Sequence, residues 1–186
     1  MKSSSFNQTF VEPYAEALMS LAKEQGLVEA LGQDMQLIVG SLQSSEELRR
    51  FFAVPLVKGS AKKSAIDSLF GAQVNPLTLN FLKLVVDRGR IAFLEPICSR
   101  FQDLLRDMNQ ISLAEVTSAV PLTDDQQETL RRKVIDMTSA RGVELAITVN
   151  PDLIGGVIIK VGSQIVDASI RGQLRRLTSN LLVSNY

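Results

Sequence analysis

LIGGVIIKVGSQIVDASIRGQLRRL, residues 153–177, decides how the second half of this chain folds. Gly155-Gly156 opens an apolar run that reads as a strand, Gly162-Ser163 reverses it, and a second short strand ends at Asp167. An amphipathic helix starts near Ser169 and carries Ile170, Leu174, Leu177 and Leu181 on one face. No nucleophile, metal ligand or phosphate-binding lysine stands where chemistry would need it. The stretch therefore reads as architecture, and points to a partner rather than to a substrate.

Working back from this stretch, the residues after Gln110 keep the same mixed character. Ile111 to Pro121 is β-branched and predicts a strand, and Thr123-Asp124-Asp125-Gln126 predicts a capping box for a helix with Leu130, Val134 and Met137 on one face. Val143, Leu145, Ile147 and Val149 alternate with Glu144, Ala146 and Thr148, the period of a half-buried strand, before a turn at Asn150-Pro151-Asp152. Before Gln110 the apolar spacing is helical throughout. Pro13 is expected to begin a first helix with Tyr14, Leu18 and Leu21 in a stripe and Gly26 as its stop. Leu31, Met35, Ile38 and Leu42 mark a second helix, and Ser44 with Glu47 is expected to cap a third carrying Leu48, Phe51 and Phe52. Gly59-Ser60 precedes a fourth, Asn75-Pro76 starts a fifth, and Ile91 to Met108 makes a sixth with Pro96 in its first turns. The expected fold class is α+β in two domains: a six-helix bundle over residues 1–110 and a small α/β domain with a short mixed sheet over 111–186.

Composition narrows the function. The 20 basic residues balance the 20 acidic ones, and the balance holds on both sides of Gln110. A nucleic-acid binder needs a basic footprint to displace counterions, and neither half has one. There are 0 histidines, which removes the commonest general base and metal ligand. The 1 cysteine, Cys98, forms no intrachain disulfide and is expected to pack among Leu94, Ile97 and Phe101. No apolar run is long enough to span a bilayer, and the opening residues look like neither a signal nor a transit peptide, so no direct membrane insertion is expected.

The remaining candidate sites are weak as chemistry. Gly155-Gly156 leads into a strand, not into a helix N-terminus, so it reads as a bulge or close backbone approach rather than a phosphate cradle. Lys160, Asp167 and Arg171 could cluster across the hairpin, but one carboxylate without a second acid or base makes a poor catalyst; Asp167 and Ser169 read better as caps of the last helix. Asp124-Asp125 and Glu46-Glu47 sit in helix first turns, where acids suit the dipole. No catalytic residue, metal site or cofactor is expected.

Two motifs carry a family resemblance. Tyr14-Ala15-Glu16-Ala17-Leu18 resembles the N-terminal Y-A-x-A-L motif of the F-type ATP synthase delta subunits, the oligomycin sensitivity conferral protein family. Leu153 to Gly162 is similar to that family's C-terminal signature, with Gly155, Gly156, Lys160 and Gly162 in place, and Asp167, Ser169, Arg171 and Leu174 match its continuation. The resemblance covers essentially the whole chain. It implies a non-catalytic stator subunit without cofactors, one copy per complex, linking the alpha/beta head to b or b′ stalk subunits. It also implies that the first and fifth helices form a groove for an alpha-subunit N-terminal helix, with Tyr14, Ala15, Leu18, Leu77, Phe81 and Leu84 as candidates. The V-E-P-Y-A-E-A-L opening is similar to cyanobacterial and chloroplast members, which implies the cytoplasmic face of a thylakoid, or the stromal side of a chloroplast one. Two readings from other classes compete: a stand-alone helical-bundle adaptor for unrelated peptides, which leaves the C-terminal signature unexplained, and a small carboxylate enzyme built on Gly155-Gly156 and Asp167.

Overall fold

The computed structural model describes residues 4–138 and 140–183, with side chains over 10–138 and 140–176. The order is α1 (Ser4–Gln25), α2 (Val28–Ser44), α3 (Glu46–Ala53), α4 (Gly59–Phe70), α5 (Pro76–Asp87), a 3₁₀ turn (Ile91–Phe93) and α6 (Leu94–Asn109). Then follow β1 (Ile111–Ser118), α7 (Asp124–Thr138), β2 (Gly142–Val149), a 3₁₀ turn (Pro151–Leu153), β3 (Val157–Val161), β4 (Gln164–Asp167) and α8 (Ile170–Val183). The expected α+β class, helices first and a mixed sheet after, is what the chain adopts. It divides into two compact units, Met1–Leu105 and Arg106–Tyr186.

In the first unit the apolar stripes converge on one core. Leu18, Leu31, Met35, Ile38, Ile66, Leu82, Leu94, Ile97 and Phe101 lose essentially all their exposure there, and Cys98 packs among them. Helix α1 departs from expectation because it begins at Ser4 and holds Pro13 in its interior. An interior proline forfeits a backbone hydrogen bond and costs about 3 kcal/mol. Contacts made by the turn just before the defect offset it. Val11 is buried, the Arg100 guanidinium grips Glu12 through two hydrogen bonds of 2.9 and 2.6 Å, and the Arg90 guanidinium lies 3.8 Å from the Phe10 ring centroid. At its other end α1 stops at Gly26 as expected, in a Schellman turn: the Leu27 N–H donates to the Ala22 carbonyl at 2.9 Å and the Gly26 N–H to the Lys23 carbonyl at 3.2 Å.

A second correction concerns α3. Its cap is Ser45, not Ser44: the Ser45 hydroxyl accepts from the Leu48 N–H at 3.2 Å, while Ser44 still belongs to α2 and donates to the Ser41 carbonyl. Ser45 has the extended backbone a cap needs, φ −129° and ψ 101°, so the register moves by one and Glu47 falls outside a capping box. Helix α5 starts as expected, with Asn75 Oδ1 accepting from the Leu77 N–H at 2.9 Å and Pro76 in the first turn. A further anchor comes from α2, where buried Asp34 accepts from the Asn75 N–H at 2.9 Å and from the Thr78 hydroxyl at 2.6 Å. Two carboxylate–lysine pairs, Lys63–Asp87 at 2.6 Å and Lys83–Asp67 at 2.7 Å, then tie α5 to α4 along its length.

In the second unit the strands run in the order β2-β1-β3-β4. Strands β1 and β2 are parallel, with α7 between them in the chain, and β3 and β4 add as antiparallel neighbours. Registers of Ala114 with Leu145 and Val161, and of Val116 with Ile147 and Ile159, put the apolar residues on one face, where Leu130 and Val134 of α7 cover them. Met137, expected on the same side of α7, is 37% exposed and not part of that core. The box before α7 forms in full: the Thr123 N–H donates to Gln126 Oε1 at 3.0 Å and the Gln126 N–H returns to the Thr123 hydroxyl at 3.4 Å. Leu177 and Leu181, expected on the α8 stripe, lie outside the residues whose side chains are described.

Gly156 has φ +78°, and a Cβ there would overlap the Ala168 carbonyl oxygen at the approach to α8. Gly156→Ala is therefore expected to lower the unfolding free energy by about 2 kcal/mol or more, the left-handed backbone and the overlap with the Ala168 carbonyl both contributing. Urea titration of the full chain checks this, and a loss below about 0.5 kcal/mol contradicts the close approach.

Candidate functional site

The first unit carries an apolar groove of about 570 Å³ between α1 and α5, suited to a macromolecular ligand. Helix α1 contributes Pro13, Tyr14, Ala17, Leu18 and Leu21; α5 contributes Leu77, Asn80, Phe81, Leu84 and Arg88. The spacing explains why these side chains meet. Tyr14, Leu18 and Leu21 follow at i, i+4 and i+7 on one helix, and Leu77, Phe81 and Leu84 repeat that spacing on the other. Leu18 and Phe81 are buried and floor the groove, with Tyr14 set edge-on to Phe81 at 6.5 Å between ring centroids. Leu21 is 39% exposed and Leu84 45%, so the upper wall is apolar surface facing solvent.

Five of the six residues expected to form this groove line it. Ala15 does not: it points inward and is fully buried in the bundle core, one helical position away from the stripe that Tyr14 and Leu18 define. Ala17 and Leu21 take the place expected for it on α1. A larger cleft of about 730 Å³ has four charged residues, Glu12, Glu95, Arg100 and Asp103, among the seven that line it, where the α1–α5 groove has one among ten. Burial raises the Cys98 thiol pKa, which suppresses the reactive thiolate.

The signature residues of the second unit do not assemble a reaction centre. Lys160 pairs with Glu115 across the β1–β3 register at 2.9 Å, and Arg171 reaches the Asp152 carbonyl at 3.5 Å, so neither joins Asp167. Asp167 Oδ1 instead accepts from the Ser169 N–H at 3.0 Å and the Ser169 hydroxyl at 2.6 Å, while Ser169 Oγ accepts from the Gly172 N–H at 3.0 Å. This is a two-step cap on α8. A Cβ on Gly172 would run into the Asp167 carboxylate, and one on Gly155 into Ile170, so both glycines leave room for the cap and the helix behind it. Gly155 also accepts from the Ile170 N–H at 3.0 Å, and Ala168 donates to the Val157 carbonyl at 3.0 Å. The glycine pair is thus a close backbone approach. Gly162 forms the β3–β4 turn with Ser163, and Leu174 stands on α8 with about half its surface exposed.

With both motifs placed, a family model described as "ATP synthase delta (OSCP) subunit" matches residues 11–181. The chain belongs to the ATP synthase delta (OSCP) family. It is 50% identical over 181 residues to the ATP synthase subunit delta of Synechococcus sp. (strain JA-2-3B'a(2-13)), covering 97% of this chain and 100% of that one. It is 53% identical over 171 residues to the ATP synthase subunit delta of Thermosynechococcus vestitus (strain NIES-2133 / IAM M-273 / BP-1), covering 92% of each. Its fold is similar to a chain in the Toxoplasma gondii mitochondrial ATP synthase hexamer, with a TM-score of 0.73 at 23% identity over 93% of this chain and 97% of that one. As a family member the chain is a non-catalytic peripheral-stalk subunit of the F-type ATP synthase.

Three parts of this delta-family architecture carried no sequence signal. Asp34 lies 41 residues before the α5 N-terminus that it anchors, and nothing local marks the pairing. Arg176 donates to the Asp167 carbonyl at 2.9 Å, closing the α8 cap from the far side. Ile154 sits at φ +67° with its side chain 69% exposed, a left-handed conformation costly for a β-branched residue. The turn forces it: the Ile154 N–H is held to the Pro151 carbonyl at 3.0 Å while the next residue begins the glycine pair.

The Asp167 carboxyl is held below its ordinary value of 3.8, first by the Ser169 hydroxyl and N–H bonds and then, more weakly, by Arg176 and Arg175. A carboxylate whose pKa falls on folding adds stability that is complete above its unfolded pKa and is lost as pH falls through its folded one. Asp167→Asn keeps the acceptor oxygen but removes the titration. Its unfolding midpoint is expected to fall less steeply with acidification below pH 3.8 than that of the unsubstituted chain, and equal acid slopes contradict the cap.

Proposed function

We propose that the α1–α5 groove receives the amphipathic N-terminal helix of an ATP synthase alpha subunit, and that the second unit engages the b-type stalk. The observation that carries this reading is the groove itself: two apolar helical stripes, side by side, with a buried floor and exposed leucines on its walls. At about 1.5 Å per residue its lining spans roughly 12 Å along α1 and roughly 16 Å along α5. That length accepts two to three turns of a third helix presenting anchors at i, i+3/4 and i+7. Completing the burial of Leu21 and Leu84 contributes about 1 kcal/mol each, a favourable term for a helix and too diffuse to select a small molecule.

The second unit supports the other half of the reading. Ile170 and Leu174 stand exposed on the first turns of α8, whose N-terminus the Asp167–Ser169 cap fixes to the hairpin. An ordered, exposed apolar stripe suits a helical stalk partner. One copy of the chain then joins the head to the stalk. Torque from the central rotor acts on the head, and proton flow drives ATP synthesis only when the head is held still, so the chain's task is mechanical. The cyanobacterial relatives support a position on the cytoplasmic face of a thylakoid membrane, held there through its partners. No described helix is long and apolar enough to cross a membrane.

Leu84→Asp tests the groove. A carboxylate pressed against an apolar helix without a partner costs several kcal/mol, so binding of a synthetic alpha-subunit N-terminal peptide is expected to weaken at least 100-fold, or about 2.7 kcal/mol. Because Leu84 lies outside the core, the circular-dichroism melt should persist. Undiminished peptide binding by this variant contradicts the proposal.

A further inference from the structure

The groove is apolar along its length but ends in a charge. On α5 the lining stripe Leu77, Phe81, Leu84 continues to Arg88 at the same helical spacing, and Arg88 is the one charged residue among those lining the groove. Its backbone caps α5, donating to the Leu84 carbonyl at 3.0 Å, so its side chain leaves the helix at the groove's end. Neighbouring cations are already engaged: Lys83 with Asp67 at 2.7 Å, Lys63 with Asp87 at 2.6 Å, and Arg90 over the Phe10 ring at 3.8 Å. Among the described residues the exposed Arg88 side chain has no ion-pair, ring or hydrogen-bond partner.

We infer that Arg88 is a specificity-determining contact of the groove, its guanidinium pairing with a carboxylate of the bound helix and so setting which helix binds and in which direction. This rests on the groove being the docking site for the alpha-subunit helix. Apolar anchors at i, i+4 and i+7 fit a groove in either direction, since leucine and isoleucine contacts carry little polarity. A single cation at one end removes that degeneracy, because only one orientation brings an acidic side chain to it. The guanidinium fork is suited to the task through its two parallel donors. Its dipole contribution at the C-terminus of α5 is a local helix effect, and does not predict a dependence on the ligand's charge.

Association of the full chain with a synthetic peptide of the alpha-subunit N-terminal helix, followed by surface plasmon resonance across salt concentrations, separates these roles. A charge at an interface rim acts mainly on the association rate and its salt dependence. Arg88→Gln is expected to slow association about tenfold at low salt and flatten the salt dependence, with little change in dissociation. Arg88→Glu should slow it further, and a peptide whose interacting carboxylate is changed to lysine should recover binding with Arg88→Glu alone. If Leu84→Asp abolishes binding while Arg88→Glu leaves rates and salt dependence unchanged, the role of Arg88 is overturned and the groove stands. Equal binding of the peptide by the unsubstituted chain and by Leu84→Asp overturns the groove reading itself. A peptide whose carboxylates can all be amidated without effect also overturns the role of Arg88.

Discussion

Helix α1 carries more apolar circumference than its own bundle can cover, and the rest of the first unit is arranged around that excess. Val11, Ala15, Leu18, Met19 and Ala22 turn inward and are buried, while Tyr14, Ala17 and Leu21 remain on a second, adjoining stripe. Helix α5 does the same with Leu82, Val85 and Val86 inside and Leu77 and Leu84 outside, sharing Phe81 between the two. Two such helices set side by side leave a groove that water solvates poorly. The polar contacts keep that pair in place: Glu12–Arg100 ties α1 to α6, and Asp34 ties the start of α5 to α2. Each of these contacts is made beside a groove residue, Glu12 next to Pro13 and Asn75 and Thr78 on either side of Leu77.

The second unit meets a different constraint with the same economy of parts. Its sheet is covered by α7 on one face, and the start of α8 is held by a cap. Gly155 and Gly156 bring the β3 entrance against the α8 N-terminus, and Asp167, Ser169 and Gly172 complete the cap. The glycine pair, read from the sequence as a close backbone approach, is there for clearance. The hydrogen bonds of Asp167, Ser169 and Arg176 and the close approach of Gly155 and Gly156 all meet at the start of α8.

Much of this was legible in the sequence. Local rules identified the Schellman stop at Gly26, the Asn75-Pro76 start, the Thr123–Gln126 box and the alternation of β2, because each depends on residues within a few positions of one another. Errors arose where two local readings competed. Pro13 is a good first helical residue, and only tertiary contacts to Arg90 and Arg100 show why the helix begins earlier. Ser44 and Ser45 are both good caps, and one residue of extra α2 decides between them. For the groove, the family resemblance pointed to α1 and α5, and five of the six residues it implied line the cavity between them, while Ala15 lies in the core beside that stripe. Asp34 and Arg176 were invisible because their partners are distant in the chain or are backbone atoms.

The central claim is that one helix docks along α1 and α5. Amide hydrogen exchange of the full chain, with and without the alpha-subunit N-terminal peptide, tests it most directly. The account predicts slowed exchange concentrated in residues 13–21 and 77–88, with α3, α4 and the sheet unchanged. Protection centred on the α2–α4 face or on the second unit, with α1 and α5 unaffected, would contradict it.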